Sequence, residues 1–279
     1  MPAHLVLIDA LNLIRRIYAV QERPFVQSKM QLNDELAFNT QKACTNALEK
    51  ILNHQQASHA LAVFDSQLPC WRHKVFDGYK KGRKKMSSHL ADELPIIQDA
   101  FLKLGVDSLV SEEDEADDLI ATLATKMALH GQHATIVSTD KGFLSLLSPT
   151  VHVYDYFNRR YLDEQHVKDK FDVKPSQLID LWTLTGDNTN KIPGVAGIGQ
   201  ITASSLLNQY GSLSAILKSN DIKPTIKEKL ANSTEQIALS RQLLTLKQNI
   251  PLGFNLKDIR LDMPASKMEN NNPPYGQAI

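Results

Sequence analysis

The sequence is poor in cysteine and in long apolar runs, and each shortage excludes a class of protein. Cys44 and Cys70 are the only cysteines among 279 residues. They are too few for a disulfide framework and, without histidines at ligand spacing, for a cysteine zinc site. No apolar run is long enough to span a bilayer, and a strand-like segment begins almost at once, so we expect no signal peptide. The expected protein is therefore cytoplasmic and has no membrane partner.

The formal net charge of the chain is zero, because 31 Lys and Arg residues balance 31 Asp and Glu residues. No overall field attracts a polyanion, so any contact with nucleic acid must come from local basic patches. Hydrophobic residues form 42% of the chain. That fraction allows a sizeable core in one large domain or in two smaller ones.

Strand-like and helical segments alternate up to about residue 165, which predicts an α/β domain with a mainly parallel sheet. From Pro175 onward helices dominate, so we expect a helical region at 166–262, and the Asn- and Pro-rich tail at 263–279 is expected to be disordered. The predicted strands are 4–9, 60–65, 105–110, 134–138 and 151–156. The predicted helices are 34–54, 90–104, 114–130, 141–147, 175–184, 200–208, 212–217, 223–230 and 234–246, with a loop at 21–33 and a final extended segment at 251–261.

Three predicted strands end in aspartate (Asp9, Asp65 and Asp140), and an acidic helix start lies between the last two. The carboxyl ends of parallel strands share one edge of a sheet, where ligands bind. Carboxylates crowded there repel one another without a cation, and Mg²⁺ prefers oxygen ligands. Each residue alone also suits a turn or a helix cap, but together they predict a metal site. Its candidate ligands are Asp9, Asp65, Glu115, Asp117, Asp118 and Asp140.

A basic segment at residues 71–85 mixes cationic and aromatic side chains. It reads Trp-Arg-His-Lys-Val-Phe-Asp-Gly-Tyr-Lys-Lys-Gly-Arg-Lys-Lys. Cations bind phosphates and aromatic rings stack on bases, so the mixture suits single-stranded nucleic acid. A solvated charged loop is the alternative. The position shortly after Asp65, above the proposed metal edge, favours contact with a substrate.

A glycine hairpin, Ile192-Pro-Gly-Val-Ala-Gly-Ile-Gly199, precedes a predicted helix. Gly197 and Gly199 let backbone N–H groups approach a phosphate, and the helix N-terminus adds a favourable partial charge. With helices on both sides, the segment resembles a helix-hairpin-helix that holds a DNA backbone without reading its sequence. The alternative is an ordinary glycine turn between helices. A dinucleotide-binding loop is disfavoured, because the glycines do not follow a first strand.

Several motifs follow one another in a specific order: Asp9-Ala-Leu-Asn-Leu-Ile-Arg-Arg16, Val63-Phe-Asp65 with Arg72, Tyr79-Lys-Lys-Gly-Arg83, Glu115-Ala-Asp-Asp118, Ser138-Thr-Asp-Lys141, and Gly186-Asp187 with the glycine hairpin. This order resembles the bacterial and phage 5′-nuclease (flap endonuclease) family, which includes the N-terminal nuclease domain of DNA polymerase I. The resemblance covers about residues 4–250, and the chain closely resembles the short, stand-alone exonuclease IX type. It implies a PIN-like α/β domain, a helical arch at about 66–95, and a helix-three-turn-helix around the hairpin.

The resemblance also implies roles for individual residues. Residues 1–165 would form the catalytic domain and 166–262 the DNA-binding region of a monomer that takes DNA with 5′ flaps or single-strand/duplex junctions. Hairpin carbonyl oxygens would coordinate K⁺ from Leu184, Thr185, Pro193, Val195 and Ile198. DNA contacts are expected from Arg16, Arg72, Tyr79, Gly197, Ile198, Gly199, Gln200, Ile201 and Thr202.

Three positions depart from the family pattern. The family usually carries aspartates where this chain has Gly142 and Asn190, and both help to hold a second metal ion. Asp187 is retained, so the second site is thinned while the first set of carboxylates is complete. Ala10 replaces a common glycine.

The predicted function is Mg²⁺-assisted hydrolysis of phosphodiester bonds in branched DNA. The first ion would polarise the scissile phosphate and activate a water. Lys80, Arg83 or Lys84 would stabilise the developing charge. One resident Mg²⁺ is expected, with a second recruited only alongside the substrate. The alternatives are a flap-binding protein that barely cuts, because two carboxylates are missing, and a PIN-type ribonuclease, against which the hairpin argues.

Overall fold

The computed structural model describes residues 2–28, 32–66, 68–111 and 113–261. The tail expected to be disordered, 263–279, lies outside these residues. The strands are β1 (His4–Asp9), β2 (His59–Phe64), β3 (Asp107–Val110), β4 (His133–Val137), β5 (Val151–Asp155) and β6 (Arg160–Tyr161). They form one sheet in the order β3-β2-β1-β4-β5-β6. All neighbouring pairs are parallel except β5 with β6, which confirms the expected mainly parallel α/β sheet.

Helices cover both faces of the sheet and dominate the C-terminal part of the chain. The α-helices are α1 (Ala10–Gln27), α2 (Asp34–Gln55), α3 (Trp71–Val75), α4 (Ser88–Leu102), α5 (Ala116–Leu129), α6 (Glu164–Phe171), α7 (Leu178–Thr185), α8 (Gln200–Tyr210), α9 (Leu213–Lys218), α10 (Pro224–Ala231) and α11 (Thr234–Leu244). Short 3-10 helices lie at Lys141–Leu146, Pro175–Gln177 and Leu256–Ile259. Among the helices in the described part of the chain, none combines the length and apolar character that crossing a membrane requires.

The register of the central strands brings their carboxyl ends to one level. β1 pairs with β2 through Asp9 and Val63, and with β4 through Ile8 and Val137. Asp65 therefore lies two residues beyond Val63, which is level with Asp9. Ser138 lies one residue beyond Val137, which is level with Ile8. The carboxyl edge at β2, β1 and β4 is the place where the sequence-predicted aspartates meet.

The strands β1, β2, β4 and β5 are buried on both faces, which explains their nearly continuous apolar sequences. Val6 and Ile8 face a cluster that includes α1, α2 and α4 residues. Leu5 and Leu7 face a larger cluster that includes α5 and residues of α7 to α11. One continuous core thus joins the sheet to the C-terminal helices and holds the two parts of the chain together.

Helix α1 was not among the predicted helices, and the loop predicted at 21–33 is wrong for its first part, because α1 continues to Gln27. The prediction rested on polar residues, and Pro24 inside the segment is normally a helix breaker. Tertiary packing overrides that preference. Phe25 is only 8% exposed and belongs to the cluster that α1 shares with α2.

The helical arch expected at about 66–95 is also corrected. Within the described residues 68–87, only α3 is helical, and 76–87 form turns and irregular backbone. The reason is local: Lys80 and Gly82 have φ values of +52° and +78°, which a right-handed helix does not allow. Helix α4 begins only at Ser88, with Ser87 capping it through a bond from the Leu90 N–H.

Smaller differences concern single elements. Helix α6 was not expected, although Asp163 caps it by accepting a hydrogen bond from the His166 N–H, a recognisable start signal. The helix predicted at 141–147 is a 3-10 helix. The final segment, predicted as extended, contains a 3-10 turn at Leu256–Ile259.

Acid should destabilise this fold through His4, which is buried at the start of β1. Its Nε2 lies 2.9 Å from Thr135 Oγ1, and burial, assisted by the nearby His133 and His152, lowers the pKa of His4 to about 4. The unfolded chain binds this proton near pH 6.5, whereas the folded chain binds it only near the lower value. Stability is therefore lost as the pH falls through this window, by roughly 2–3 kcal/mol from this group.

Urea unfolding at about pH 7 and pH 4.5 measures this loss. His4→Gln, which cannot take up the proton, should flatten the pH dependence. His130→Gln is the matched control, because His130 is exposed at the end of α5. Equal pH dependence in the wild type and in His4→Gln would contradict the assignment to His4.

Candidate functional site

Three aspartates are fixed at the carboxyl edge of the sheet by backbone and hydroxyl donors. Asp9 accepts hydrogen bonds from Ser138 Oγ at 2.7 Å and from the Asn12 N–H at 3.3 Å. Asp65 Oδ1 accepts from the Ala116 N–H at 2.9 Å, which ties the end of β2 to the start of α5. Asp140 accepts similarly from the Gly142 N–H at 2.7 Å. Each carboxylate is thus held in one orientation.

The pKa shifts show that four carboxylates share one electrostatic environment. Burial raises the pKa of Asp9 to about 7, and the charges of Asp65 and Asp140 add to the rise. Burial also raises the pKa of Asp117 well above its ordinary value, with further contributions from Asp140, Asp9 and Asp65. Asp9, Asp65, Asp117 and Asp140 therefore lie close enough to influence one another electrostatically.

These residues suit a hydrated Mg²⁺ better than a closed ligand cage. Among the described residues, no three His, Cys, Asp or Glu side chains are gathered closely enough to form a ready-made cage. Mg²⁺ usually keeps several waters and is held by only one or two carboxylates. Burial and, after it, the mutual repulsion of the carboxylates raise the pKa values of Asp9 and Asp117, and a bound cation would offset the cost of holding these charges there. The carboxylates therefore suit a hydrated divalent cation.

Two further predicted ligands are instead engaged with a buried arginine. Arg72, only 2% exposed, donates to Glu115 Oε2 at 2.7 Å and to both Asp118 oxygens at 2.7 and 2.8 Å. It also donates to the carbonyl oxygens of Leu243 at 2.8 Å and Thr245 at 3.2 Å. The guanidinium thus joins the start of α5 to the end of α11.

This network corrects three predicted roles. Asp118 is fully buried and also accepts from Trp71 Nε1 and the Lys247 N–H, so its oxygens are committed to structure and not to a metal. Arg72 and Tyr79 were expected to touch DNA, but they are 2% and 4% exposed. Tyr79 donates its hydroxyl to Glu115. Both side chains are buried and hold the carboxylates at the start of α5.

Glu115 and Lys80 form an ion pair at the border of the carboxylate group. Lys80 Nζ lies 2.5 Å from Glu115 Oε1. Burial alone would raise the pKa of Glu115, but the charges of Lys80 and Arg72 outweigh burial and lower it. Burial likewise opposes the charge of Lys80, yet Glu115 and Asp117 raise its pKa. Lys80 is therefore a fixed cation beside Asp117, while Arg83 and Lys84 are exposed.

Sequence reasoning missed Arg15, Asn12 and Ser138. Burial and the charge of Arg83 lower the pKa of Arg15, while Asp65 and Asp9 raise it, which places Arg15 between the carboxylates and the basic segment. Asn12 Oδ1 accepts from the N–H and hydroxyl of Thr139. The available signal for Arg15 was its position in the pair Arg15-Arg16, which follows the strand-end Asp9 by about two helical turns.

Asp187 is neutralised by its neighbours. Its Oδ1 lies 2.8 Å from Lys141 Nζ, and its Oδ2 accepts from Asn190 Nδ2 at 2.7 Å. Asp187 is only 2% exposed. Asn190 also accepts, through its carbonyl oxygen, a hydrogen bond from the Lys80 N–H at 2.9 Å. Asn190, which stands where the family carries a second-site aspartate, thus holds the backbone of the basic segment.

The glycine hairpin lies between α7 and α8 and depends on close backbone approach. A Cβ on Gly194 would collide with the backbone of Thr185 and Gly186, so only glycine fits there. Gly197 has φ +73°. Beyond it an exposed tip leads into α8, where Ile201 is 86% exposed. The predicted contacts Gly197, Gly199, Gln200 and Ile201 are exposed, Thr202 is half-buried, and the Ile198 side chain is buried.

The carbonyl groups predicted to hold K⁺ lie around the same hairpin. Leu184 O accepts from the Val195 N–H at 2.8 Å, and Val195 O accepts from the Ile198 N–H at 3.0 Å. Pro193 O accepts from Ser240 Oγ at 2.6 Å. A carbonyl oxygen has two lone pairs, so these bonds leave one free on Leu184 and on Val195. Pro193 O has a second donor, because Gln236 Nε2 lies 3.5 Å from it.

Comparisons with known proteins match the whole length of this arrangement. The family described as 5′-3′ exonuclease, N-terminal resolvase-like domain, matches residues 4–172, and the 5′-3′ exonuclease C-terminal SAM fold matches 173–267. Flap endonuclease Xni of Colwellia psychrerythraea is 68% identical over 279 residues, covering 97% of this chain and 96% of the relative. Flap endonuclease Xni of Psychromonas ingrahamii is 47% identical, covering 92% and 96%.

The fold is also found among solved structures. The T5 5′-exonuclease with bound zinc ions has a TM-score of 0.70 at 20% identity, covering 87% of this chain and 89% of that one. At this identity the likeness shows the fold alone, and it agrees with the expected PIN-like α/β domain followed by a helical region. Two matching family models and a relative of 68% identity along nearly the full length settle the relationship: the chain belongs to the 5′-3′ exonuclease family.

Proposed function

We propose that this chain is a Mg²⁺-dependent, structure-specific 5′ nuclease that hydrolyses phosphodiester bonds in DNA bearing 5′ single-stranded flaps. The observation that carries the proposal is the grouping of Asp9, Asp65, Asp117 and Asp140 at the carboxyl edge of the sheet, where burial and, after it, their mutual charges raise the pKa values of Asp9 and Asp117. Relatives named flap endonuclease, of 68% and 47% identity, support the same reaction.

The protein groups divide the work by position. The exposed hairpin tip and the N-terminus of α8 would hold the duplex backbone. Lys80, fixed beside Asp117, and the exposed Arg83 and Lys84 would receive the 5′ strand and offset the charge that develops on the scissile phosphate. Arg15, between the carboxylates and Arg83, adds a further cation on that path. When bound among the carboxylates, Mg²⁺ supplies polarisation of the phosphate and acidification of a water.

The buried Arg72 network has a positioning role in this scheme. Arg72 fixes Glu115 and Asp118 at the start of α5 and also bonds to Leu243 and Thr245 after α11. Asp117 lies between these two anchored residues in the sequence, so the same contacts hold in place the backbone that carries it. Residues 1–165 would thus carry the catalytic groups, and residues 166–262 would bind the DNA. We propose that the protein acts as a monomer in the cytoplasm. K⁺ bound by the hairpin carbonyl oxygens would make the hairpin more rigid and so strengthen its binding to DNA.

The wild type should bind one divalent ion in the absence of DNA. Lys141 and Asn190 already satisfy Asp187, and Gly142 supplies no side chain, so a second ion lacks charged ligands. The double variant Gly142→Asp/Asn190→Asp restores two carboxylates and should bind two ions. A Cβ at Gly142 would lie 3.2 Å from Asp140 Oδ1, which requires only a small shift.

Counting bound Mn²⁺ by electron paramagnetic resonance, without DNA, measures this stoichiometry. A metal-soaked, DNA-free crystal of the wild type gives the same count directly. Two fully occupied divalent sites in the wild type would contradict the expectation.

A flap-binding protein that cuts poorly is the second candidate, and the Lys141–Asp187–Asn190 cluster favours it. The deciding experiment compares cleavage of a 5′-flap DNA, the same flap in RNA, and a nicked duplex without a flap, each with Mg²⁺ or EDTA. The nuclease proposal predicts Mg²⁺-dependent cutting of the DNA flap above the other two. Tight flap binding without turnover would favour the second candidate, and a preference for RNA would overturn the DNA assignment.

A further inference from the structure

An aromatic and cationic surface lies at the carboxyl edge of the sheet beyond the carboxylates. β5 follows β4 in the sheet, and the Ser138 N–H donates to Tyr154 O at 3.2 Å, so the turn after β5 begins beside the residue that holds Asp9. In that turn Phe157 is 37% exposed. The guanidinium of Arg16 lies over its ring, 5.0 Å from the centroid.

The turn that presents Phe157 is rigid. Asp155, which is buried, accepts from the N–H groups of Phe157 at 3.1 Å and Asn158 at 3.2 Å, and from Asn158 Nδ2 at 2.6 Å. Tyr156 packs against the Phe157 ring at 5.4 Å in a T-shaped arrangement. An exposed aromatic ring thus has a fixed orientation, which lowers the entropy cost of stacking a ligand on it.

The charges and the position of this surface match a nucleic-acid strand. Arg16 is exposed and lies over the ring. Arg159, which is also exposed, adds a second positive charge in the same turn as Phe157. Arg16 lies seven residues after Asp9 on α1, about 10 Å along the helix. The basic segment follows β2, on one side of β1, whereas Phe157 follows β5 on the other side. A substrate centred on the carboxylates would therefore meet Lys80 on one flank and Phe157 on the other.

We propose that Phe157, with Arg16 over its ring, stacks one unpaired base of the DNA substrate on the flank of the carboxylates opposite Lys80. A base within a duplex has both faces covered by its neighbours, so an unpaired base is the group that a single, partly exposed ring can take. Arg16 strengthens the ring as a platform by a cation–π contact and pairs with the adjacent phosphate. The inference deepens the proposed nuclease function and rests on it.

Removing single bases from the substrate tests the platform. A series of 5′-flap DNAs, each with one abasic position in the flap or at the junction, is bound in EDTA and followed by fluorescence anisotropy. For the wild type, loss of the base at one position should weaken binding by roughly 5- to 150-fold, the range for one base stacked on an aromatic ring. Phe157→Ala should bind the intact flap more weakly and lose that dependence, while Phe157→Tyr should keep it.

Phe38→Ala is the matched control, since Phe38 is 61% exposed on α2 and should retain the wild-type pattern. Equal affinity of Phe157→Ala and wild type for flapless duplex shows that the variant is folded. The proposal is overturned if Phe157→Ala keeps the position dependence, or if no abasic position affects the wild type. Failure of the nuclease function would show separately, as a wild type that does not cleave the flap in Mg²⁺.

Discussion

Asp117→Asn should reduce flap cleavage by about 10²–10³-fold, the cost typical of losing one preorganised electrostatic group. Burial and the charges of Asp140, Asp9 and Asp65 raise the pKa of Asp117 well above its ordinary value. A bound cation would therefore stabilise the charged form of this carboxylate. The amide keeps the size of the side chain but removes the charge, so cleavage should also need more Mg²⁺ to reach half its maximum.

DNA binding in EDTA separates a loss of chemistry from a loss of fold. Asp117→Asn removes one negative charge that would face the phosphate, so its affinity for the flap should equal or exceed that of the wild type. Asp107→Asn is the matched control, because Asp107 is exposed at the amino end of β3, on the opposite edge of the sheet. Cleavage by Asp117→Asn at the rate of Asp107→Asn would refute the carboxylate centre.

Arg72→Met should destabilise the folded chain by about 3–5 kcal/mol, the cost of removing one partner from a buried ion pair. Methionine fills similar volume but leaves the buried Asp118 and Glu115 without their cation. The carbonyl oxygens of Leu243 and Thr245 also lose their donor. The midpoint of urea unfolding measures the change in the free energy of unfolding.

Lys168→Met gives the contrast, since Lys168 and Asp172 form an exposed pair on α6 with side chains 52% and 61% exposed. That variant should lose less than about 1 kcal/mol. Adding Asp118→Asn to Arg72→Met removes the stranded charge and should recover part of the loss. If Arg72→Met cost no more than Lys168→Met, the network would not hold the start of α5 to the end of α11.

The strand-end aspartates were predictable because two simple rules coincide. An apolar run that ends in aspartate indicates a buried parallel strand, and parallel strands share a carboxyl edge. The order of Asp9, Asp65 and Asp140 along the chain therefore predicted their meeting without any knowledge of side-chain contacts.

The roles of Arg72 and Asp118 were not predictable in the same way. Both belong to motifs that suit a ligand, and sequence shows the charge of a residue but not its depth. Burial of Arg72 depends on residues more than 170 positions away, where Leu243 and Thr245 offer carbonyl oxygens. Such long-range contacts decide whether a charged side chain faces a substrate or supports the fold.

The predicted loop at 21–33 and the predicted helix in the basic segment were wrong for opposite reasons. Pro24 and polar neighbours indicated a loop, but the burial of Phe25 against α2 keeps the helix intact to Gln27. In the basic segment the resemblance favoured helix, but Lys80 and Gly82 adopt left-handed backbone conformations. Tertiary packing prevailed in the first case and local backbone geometry in the second.

The most direct test of the account is single-turnover cleavage of one end-labelled 5′-flap DNA by the wild type and Asp117→Asn, side by side, with Mg²⁺ and with EDTA. The account predicts a discrete product near the junction only for the wild type with Mg²⁺. Equal cutting by both proteins, or cutting by the wild type that persists in EDTA, would contradict a metal-dependent centre built on the strand-end carboxylates.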